Sequence, residues 1–83
     1  MLVPLYGFLK GDTLGLIVLV HDHQTVRDIA ACLQQAAAPR VPPAAHVSVY
    51  FRGNRLEPHL TVGQAGIEPL DRVDVVPEKN DGV

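Results

Sequence analysis

Residues 47–76, VSVYFRGNRLEPHLTVGQAGIEPLDRVDVV, decide the fold of this chain. The β-branched and aromatic side chains at 47–51 are typical of a β-strand. The Gly-Asn pair at 53–54 predicts a tight turn, after which residues 55–56 form a short second strand that pairs back on the first. This half of the stretch is therefore predicted to be a β-hairpin.

The other half of the stretch predicts one helical turn and a final strand. Thr61 and Gln64 have the spacing of a capping box, in which each side chain accepts a hydrogen bond from the backbone of the other residue. Gly66 is placed to end that turn in a left-handed conformation. The alternating run at 73–76 predicts a strand. Nothing in this order is typical of a catalytic site.

A second hairpin is predicted at the start of the sequence. Residues 2–9 and residues 14–20 are apolar runs of strand length. Between them, Gly11 tolerates a positive φ and Asp12 can accept a hydrogen bond from nearby backbone, which together favour a turn.

One long helix is predicted to begin after Thr25. Threonine is a favourable N-cap residue, and Asp28 completes a pattern like a capping box. Pro39 and the prolines that follow it prevent the helix from continuing far. Its apolar stripe, at helical spacing, consists of Val26, Ile29, Ala30, Leu33 and Ala37.

The element order β-β-α-β-β-β predicts an α+β fold in which one main helix packs on one face of a mixed sheet. We expect one domain over residues 1–77 and a flexible C-terminal tail over residues 78–83. The predicted core consists of Leu16, Val18, Val20, Val26, Ile29, Leu33, Val49, Leu56, Ile67, Val73 and Val75.

Composition argues against several classes of function. The chain has 83 residues, a formal net charge of -2 and scattered basic side chains, so we expect no nucleic-acid partner. Its one cysteine, Cys32, rules out an internal disulfide, fits a reducing cytoplasm and is expected to be buried or half-buried. The apolar run at 14–20 is too short to span a bilayer, so we expect a cytoplasmic protein with no membrane partner.

Alternation along the strands predicts an apolar surface on the sheet face that the helix does not cover. If Leu16, Val18 and Val20 point inward, Ile17 and Leu19 point outward, and Tyr50 shares that face. An apolar patch of this kind often marks an interface, with Arg52 and Arg55 at its rim. The alternative is an ordinary small domain with a few exposed aliphatic side chains and solvated arginines.

No catalytic or metal site can be assembled from the sequence. His21 and His23 flank Asp22 and could share a face, but two histidines are too few for a closed site, and the alternative is a polar connector. The carboxylates are dispersed, so no acid and base pair can be named. We expect no catalytic residue, cofactor or metal in this chain.

The element order resembles that of ubiquitin, which implies a ubiquitin-like β-grasp. The residues that carry this resemblance are Gly11-Asp12-Thr13, Thr25-Val26, Val41-Pro42-Pro43, residues 51–57, Thr61-Val62 and Ile67. Ubiquitin-type modifiers and sulfur carriers need a terminal Gly-Gly for activation, whereas this sequence ends Asp81-Gly82-Val83. A modifier or sulfur carrier is therefore a weaker hypothesis than a docking domain.

The chain is also similar to the small gamma subunit of toluene-type diiron monooxygenase hydroxylases, the toluene-4-monooxygenase system protein B family. The matching residues are Phe8, Lys10, Asp12, Arg40-Val41, Pro43, Leu56, Pro58, Thr61, Ala65-Gly66-Ile67, Pro69 and Val73-Asp74-Val75-Val76. This resemblance implies a non-catalytic subunit of an NADH-dependent aromatic-hydrocarbon (toluene/benzene-type) monooxygenase. It further implies large alpha and beta hydroxylase subunits as partners and a diiron centre in the alpha subunit.

The same fold would serve a free ubiquitin-like adaptor, such as a type VII secretion accessory protein. The partners of such an adaptor would be membrane ATPase components instead of an oxygenase. Identification of the chains bound in the native host separates these two hypotheses.

Overall fold

The computed structural model describes residues 1–78, so the predicted tail over residues 78–83 lies outside the described residues except for Glu78. The predicted order of elements is confirmed. The elements are β1 (Leu2–Leu9), β2 (Gly15–His21), α1 (Val26–Ala37), β3 (Val47–Phe51), β4 (Asn54–Arg55) and β5 (Arg72–Pro77).

The five strands form one mixed sheet in the order β2-β1-β5-β3-β4. β1 pairs with β5 in parallel, and every other pairing is antiparallel. The helix contacts β1, β2 and β3 from one side. The α+β class, with one helix on one face of a mixed sheet, is therefore confirmed, and the other face of the sheet is left for solvent or a partner.

The turn of the second hairpin lies one residue earlier than predicted. Arg52 and Gly53, not Gly53 and Asn54, are its central residues, with φ of 52° and 79°. Phe51 pairs with Asn54 across the turn, so Asn54 belongs to β4 and Leu56 follows the strand. A two-residue turn with positive φ at both centres matches the right-handed twist of the strands, and the glycine takes the second position.

The helix begins as its sequence predicts. The Asp28 N–H donates to Thr25 Oγ1 at 3.2 Å, and the Thr25 N–H donates to the Asp28 carboxylate at 3.0 Å. This reciprocal pair satisfies two backbone donors that no helical carbonyl can reach. The helix ends at Ala37, one residue before its C-cap Ala38 and just before Pro39.

The predicted core is confirmed except at two positions. Leu16, near the start of β2, and Leu56, just after β4, are only partly buried, although both pack against the core. The sequence prediction omitted the β1 residues, Phe51 in β3 and Val62. The buried apolar residues that were not on the predicted list are Val3, Leu5, Leu9, Ala30, Ala37, Phe51 and Val62.

A glycine in β1 allows the helix to approach the sheet closely. A Cβ at Gly7 would lie 2.8 Å from Leu33 Cδ1, and Leu33 is fully buried. A side chain at position 7 would therefore force the buried Leu33 side chain to shift in a closely packed core.

The loop before β5 is held against the start of the helix. Thr61 and Gln64 form the predicted capping box, with bonds of 3.0 and 3.1 Å, and Gly66 has the predicted positive φ. The Val26 N–H donates to the Leu60 carbonyl at 2.8 Å, which ties this loop to the first turn of α1.

Candidate docking surface

The sheet face away from the helix carries an apolar patch on β1 and β2. The strand register places Tyr6 opposite Ile17 and Pro4 opposite Leu19. Ile17 is 57% exposed, Leu19 is 56% exposed and Tyr6 is 42% exposed. We call this surface the outer apolar patch, and it consists of Leu2, Pro4, Tyr6, Ile17 and Leu19.

The opposite half of the same face is polar. On β5, the guanidinium of Arg72 lies 3.0 Å from the Asp74 carboxylate. Next to it, Arg55 lies 2.9 Å from Glu78, and the Ser48 hydroxyl donates to the same carboxylate. The outer face therefore divides into an apolar half on β1 and β2 and a charged half on β5, β3 and β4.

Phe8 marks the boundary between the two halves. Its ring lies over Gly15 of β2, where a Cβ would come within 2.6 Å of Phe8 Cε1. The Arg72 guanidinium covers the ring, 4.1 Å from its centroid. A cation above an aromatic face is attractive, so Phe8 is shielded while the neighbouring Tyr6 and Ile17 stay bare.

The structure divides the five residues predicted at an interface into separate groups. Ile17 and Leu19 point outward, as predicted, and lie side by side in the outer apolar patch. Tyr50 is half-buried on the same face, but β5 and β1 lie between it and β2, and its neighbours are Asp74 and Arg55. Arg52 lies over the ring of the core residue Phe51, 5.0 Å from its centroid, apart from the patch.

Some exposed or partly exposed apolar residues on or near the patch were not on the list of predicted interface residues. Leu2, Pro4 and Tyr6 lie on the outer face because they alternate with the buried residues of β1. Leu70 is 57% exposed with a positive φ of 67°, and its N–H donates to the Pro4 carbonyl at 2.6 Å. Alternation was the signal for the first three, but β1 is apolar at every position and so did not show which parity is buried.

One ion pair joins the first hairpin to the segment after the helix. The Arg40 guanidinium donates two hydrogen bonds of 3.0 Å to the Asp12 carboxylate. These bonds hold the pKa of Asp12 below its usual value of 3.8 and raise the pKa of Arg40. The Asp12 side chain is only 1% exposed beneath the guanidinium.

The polar side chains of residues 1–78 do not converge on one another as metal ligands would. Within this part of the chain, no group of three or more His, Cys, Asp or Glu side chains is placed to hold a metal ion. The rings of His21 and His23 stack with their centroids 5.3 Å apart. Cys32 is partly buried and packs against the core, as predicted.

No helix among residues 1–78 combines the length and the apolar character that crossing a membrane requires.

Comparison with known proteins places the chain in a family. A family model described as Toluene-4-monooxygenase system protein B (TmoB) matches residues 2–76. The chain belongs to the TmoB family. The predicted resemblance is thereby confirmed.

Solved structures confirm the ubiquitin-like β-grasp. A chain in the structure of a toluene 4-monooxygenase HD complex with the inhibitor 4-bromobenzoate superposes with a TM-score of 0.85, at 20% identity, over 94% of this chain and 100% of that chain. Ubiquitin from Caldiarchaeum subterraneum superposes with a TM-score of 0.76, at 16% identity, over 99% of this chain and 100% of that chain.

A ubiquitin-like domain from an Arabidopsis thaliana protein shares the same fold. Its TM-score is 0.75, at 14% identity, over 94% of this chain and 79% of that chain. Comparison with curated protein sequences found no match. The TmoB family match therefore gives the family, and the superpositions give the fold.

Proposed function

We propose that this TmoB-family chain is a non-catalytic subunit of a multicomponent diiron aromatic-hydrocarbon monooxygenase, and that it docks on the large alpha and beta hydroxylase subunits. The observation that carries the proposal is the family match over residues 2–76. A chain of the same fold in a toluene 4-monooxygenase HD complex supports it. The substrate class would be aromatic hydrocarbons of the toluene or benzene type.

The outer apolar patch supplies the physical reason for docking. Ile17, Leu19 and Tyr6 leave large apolar areas in water although the domain already has a complete core. Burial of each large side chain contributes roughly 1.5–3 kcal/mol before the costs of association are subtracted. A partner that covers the patch would therefore gain a hydrophobic centre bordered by the charges of Arg72 and Asp74.

In this proposal the oxygen chemistry belongs to the assembled enzyme. The diiron centre lies in a partner subunit, and electrons from NADH reach it through other components. This chain supplies a docking surface and stabilises the large subunits in the cytoplasm. Its own carboxylates take part in surface ion pairs, such as Asp74 with Arg72 and Glu78 with Arg55.

Affinity purification of the tagged chain from its native host tests this function. We expect large hydroxylase subunits to co-purify in a fixed ratio, and mass spectrometry identifies them. A chain that elutes alone although those subunits are expressed would contradict the proposal. Recovery of membrane ATPase components instead would favour the free adaptor, whose fold is the same.

A further inference from the structure

The free edge of β2 is unusually open to another strand. β2 lies at one end of the sheet order, and the other end is closed by β4, which has only two residues. Edge strands are commonly protected by lysine, proline, bulges or short length. β2 is seven residues long, and its residues 15–20 include no charged residue and no proline.

The hydrogen bonds of β1 show which backbone groups of β2 are unpaired. The Tyr6 N–H donates to the Asp71 carbonyl, and the Lys10 N–H donates to the Val75 carbonyl. The backbone N–H and C=O groups of the even-numbered residues of β1 therefore point toward β5. The backbone groups of the odd-numbered residues point toward β2, where these residues pair with Leu16, Val18 and Val20. The backbone groups of Gly15, Ile17 and Leu19 consequently point away from the sheet.

One end of this edge is already closed. The His21 N–H donates to Gln24 Oε1 at 2.7 Å, and the His21 carbonyl accepts from the Gln24 N–H at 2.9 Å. The open part therefore consists of Gly15, Ile17 and Leu19. Ile17 and Leu19 combine outward backbone groups with side chains that are more than half exposed.

We propose that an extended segment of a large hydroxylase subunit adds to the sheet as a sixth strand beside β2. This inference rests on the proposed function and specifies how the partner is held. Main-chain hydrogen bonds to Ile17 and Leu19 provide affinity, and apolar side chains of the added strand continue the outer apolar patch. Because residues 15–20 of β2 are uncharged, we expect the residues of the added strand that pair with them to be uncharged as well.

The choice of a large hydroxylase subunit over a second copy rests on the TmoB family match and on the similar chain in a toluene 4-monooxygenase HD complex. Antiparallel pairing of two copies centred on Ile17 would use the same open residues, Gly15, Ile17 and Leu19. A second copy is therefore an alternative outcome of the test.

Hydrogen exchange with single-residue resolution tests the added strand. In the free chain, the amides of Ile17 and Leu19 should exchange rapidly while those of Val18 and Val20 are protected. In the complex with the co-expressed large subunits of its host, Ile17 and Leu19 should become protected as well. A complex that forms with no change at these two amides would overturn the proposal.

Two further outcomes separate the inference from the function on which it rests. Protection of Ile17 and Leu19 in the chain alone, rising with its concentration, would make a second copy the occupant and overturn the choice of partner. Failure of the large subunits to bind at all would overturn the proposed function together with this inference.

An amide-to-ester replacement distinguishes a strand pairing from simple shielding. A synthetic chain with an ester at Leu19 keeps the side chain but loses the outward N–H, and it should bind the large subunits about fivefold more weakly, as expected for one neutral hydrogen bond. An ester at the exposed residue Ala45 is the matched control and should leave binding unchanged. Equal affinity of the Leu19 ester and the unmodified chain would contradict the pairing.

Discussion

Arg40 and Asp12 form a two-bond ion pair between the first hairpin turn and the segment after the helix, although 28 positions separate them. Asp12 also accepts a bond from the Leu14 N–H at 3.3 Å, so its carboxylate organises the turn as well as the long-range contact. The pair therefore links two loops at the same end of the sheet. Both residues were among those that resemble the TmoB family in sequence.

This ion pair should make part of the stability depend on pH. Arg40 lowers the pKa of Asp12 in the folded state below 3.8, so its contribution is present above that pH and is lost as pH falls through the lowered value. Asp12→Asn should therefore be less stable than the parent at pH 7, and the difference should shrink below about pH 3.8. Urea unfolding across this range measures it.

Arg40→Gln provides the matching variant for the same prediction. It removes the partner and should return the pKa of Asp12 toward its usual value, which NMR titration of the carboxylate can measure. A stability difference for Asp12→Asn that stayed constant from pH 7 to pH 2 would contradict an electrostatic role for the pair.

The close approach of the helix to β1 predicts a destabilising substitution at Gly7. A Cβ there would lie 2.8 Å from Leu33 Cδ1 in the buried core, so Gly7→Ala should cost about 1–3 kcal/mol in the free energy of unfolding. Shortening the opposing side chain in the double variant Gly7→Ala, Leu33→Val should recover part of this loss. Denaturant unfolding of both variants checks the prediction.

Gly63→Ala is the control for this overpacking prediction. The nearest atom to a Cβ at Gly63 is the Asp22 carbonyl oxygen at 3.7 Å, an ordinary contact distance. The control should stay within about 0.5 kcal/mol of the parent. Equal losses at Gly7 and Gly63 would show that packing against Leu33 is not the cause.

The N-cap of the helix predicts a smaller loss. Thr25→Ala removes the Oγ1 that accepts from the Asp28 N–H and should reduce stability by about 1 kcal/mol. Thr25→Ser keeps the acceptor and should remain close to the parent. Thermal and urea unfolding of the two variants separate the effect of the capping bond from any general effect of substitution. A Thr25→Ala variant as stable as the parent would contradict a stabilising role for the N-cap.

The fold could be predicted from sequence because its signals are local. The two hairpins, the Thr25 cap and the Thr61 capping box each depend on a few adjacent residues, and the structure confirms all of them with small shifts. The one-residue shift of the second turn arose because Arg52 adopts a left-handed φ that a pattern led by glycine does not predict.

The candidate docking surface was only partly predictable because it depends on which strands are neighbours. β1 is apolar throughout, so no alternation showed that Tyr6 is exposed and Leu5 buried. Its parallel pairing with β5 and the position of the helix decide that parity. Tyr50 shares the outer face, as alternation predicted, but β5 separates it from β1 and from the apolar patch. Local sequence patterns do not contain that order.

Assembly of an Ile17→Lys, Leu19→Lys variant with the large hydroxylase subunits tests whether the chain docks through the outer apolar patch. Both side chains are more than half exposed, so the free variant should remain folded, which circular dichroism can verify. Gln35→Lys, Ala36→Lys adds the same charge on the exposed side of the helix and is the control. We expect co-purification to be lost for the Ile17→Lys, Leu19→Lys variant and kept for the control. Unchanged assembly of the folded Ile17→Lys, Leu19→Lys chain would contradict docking through the outer apolar patch.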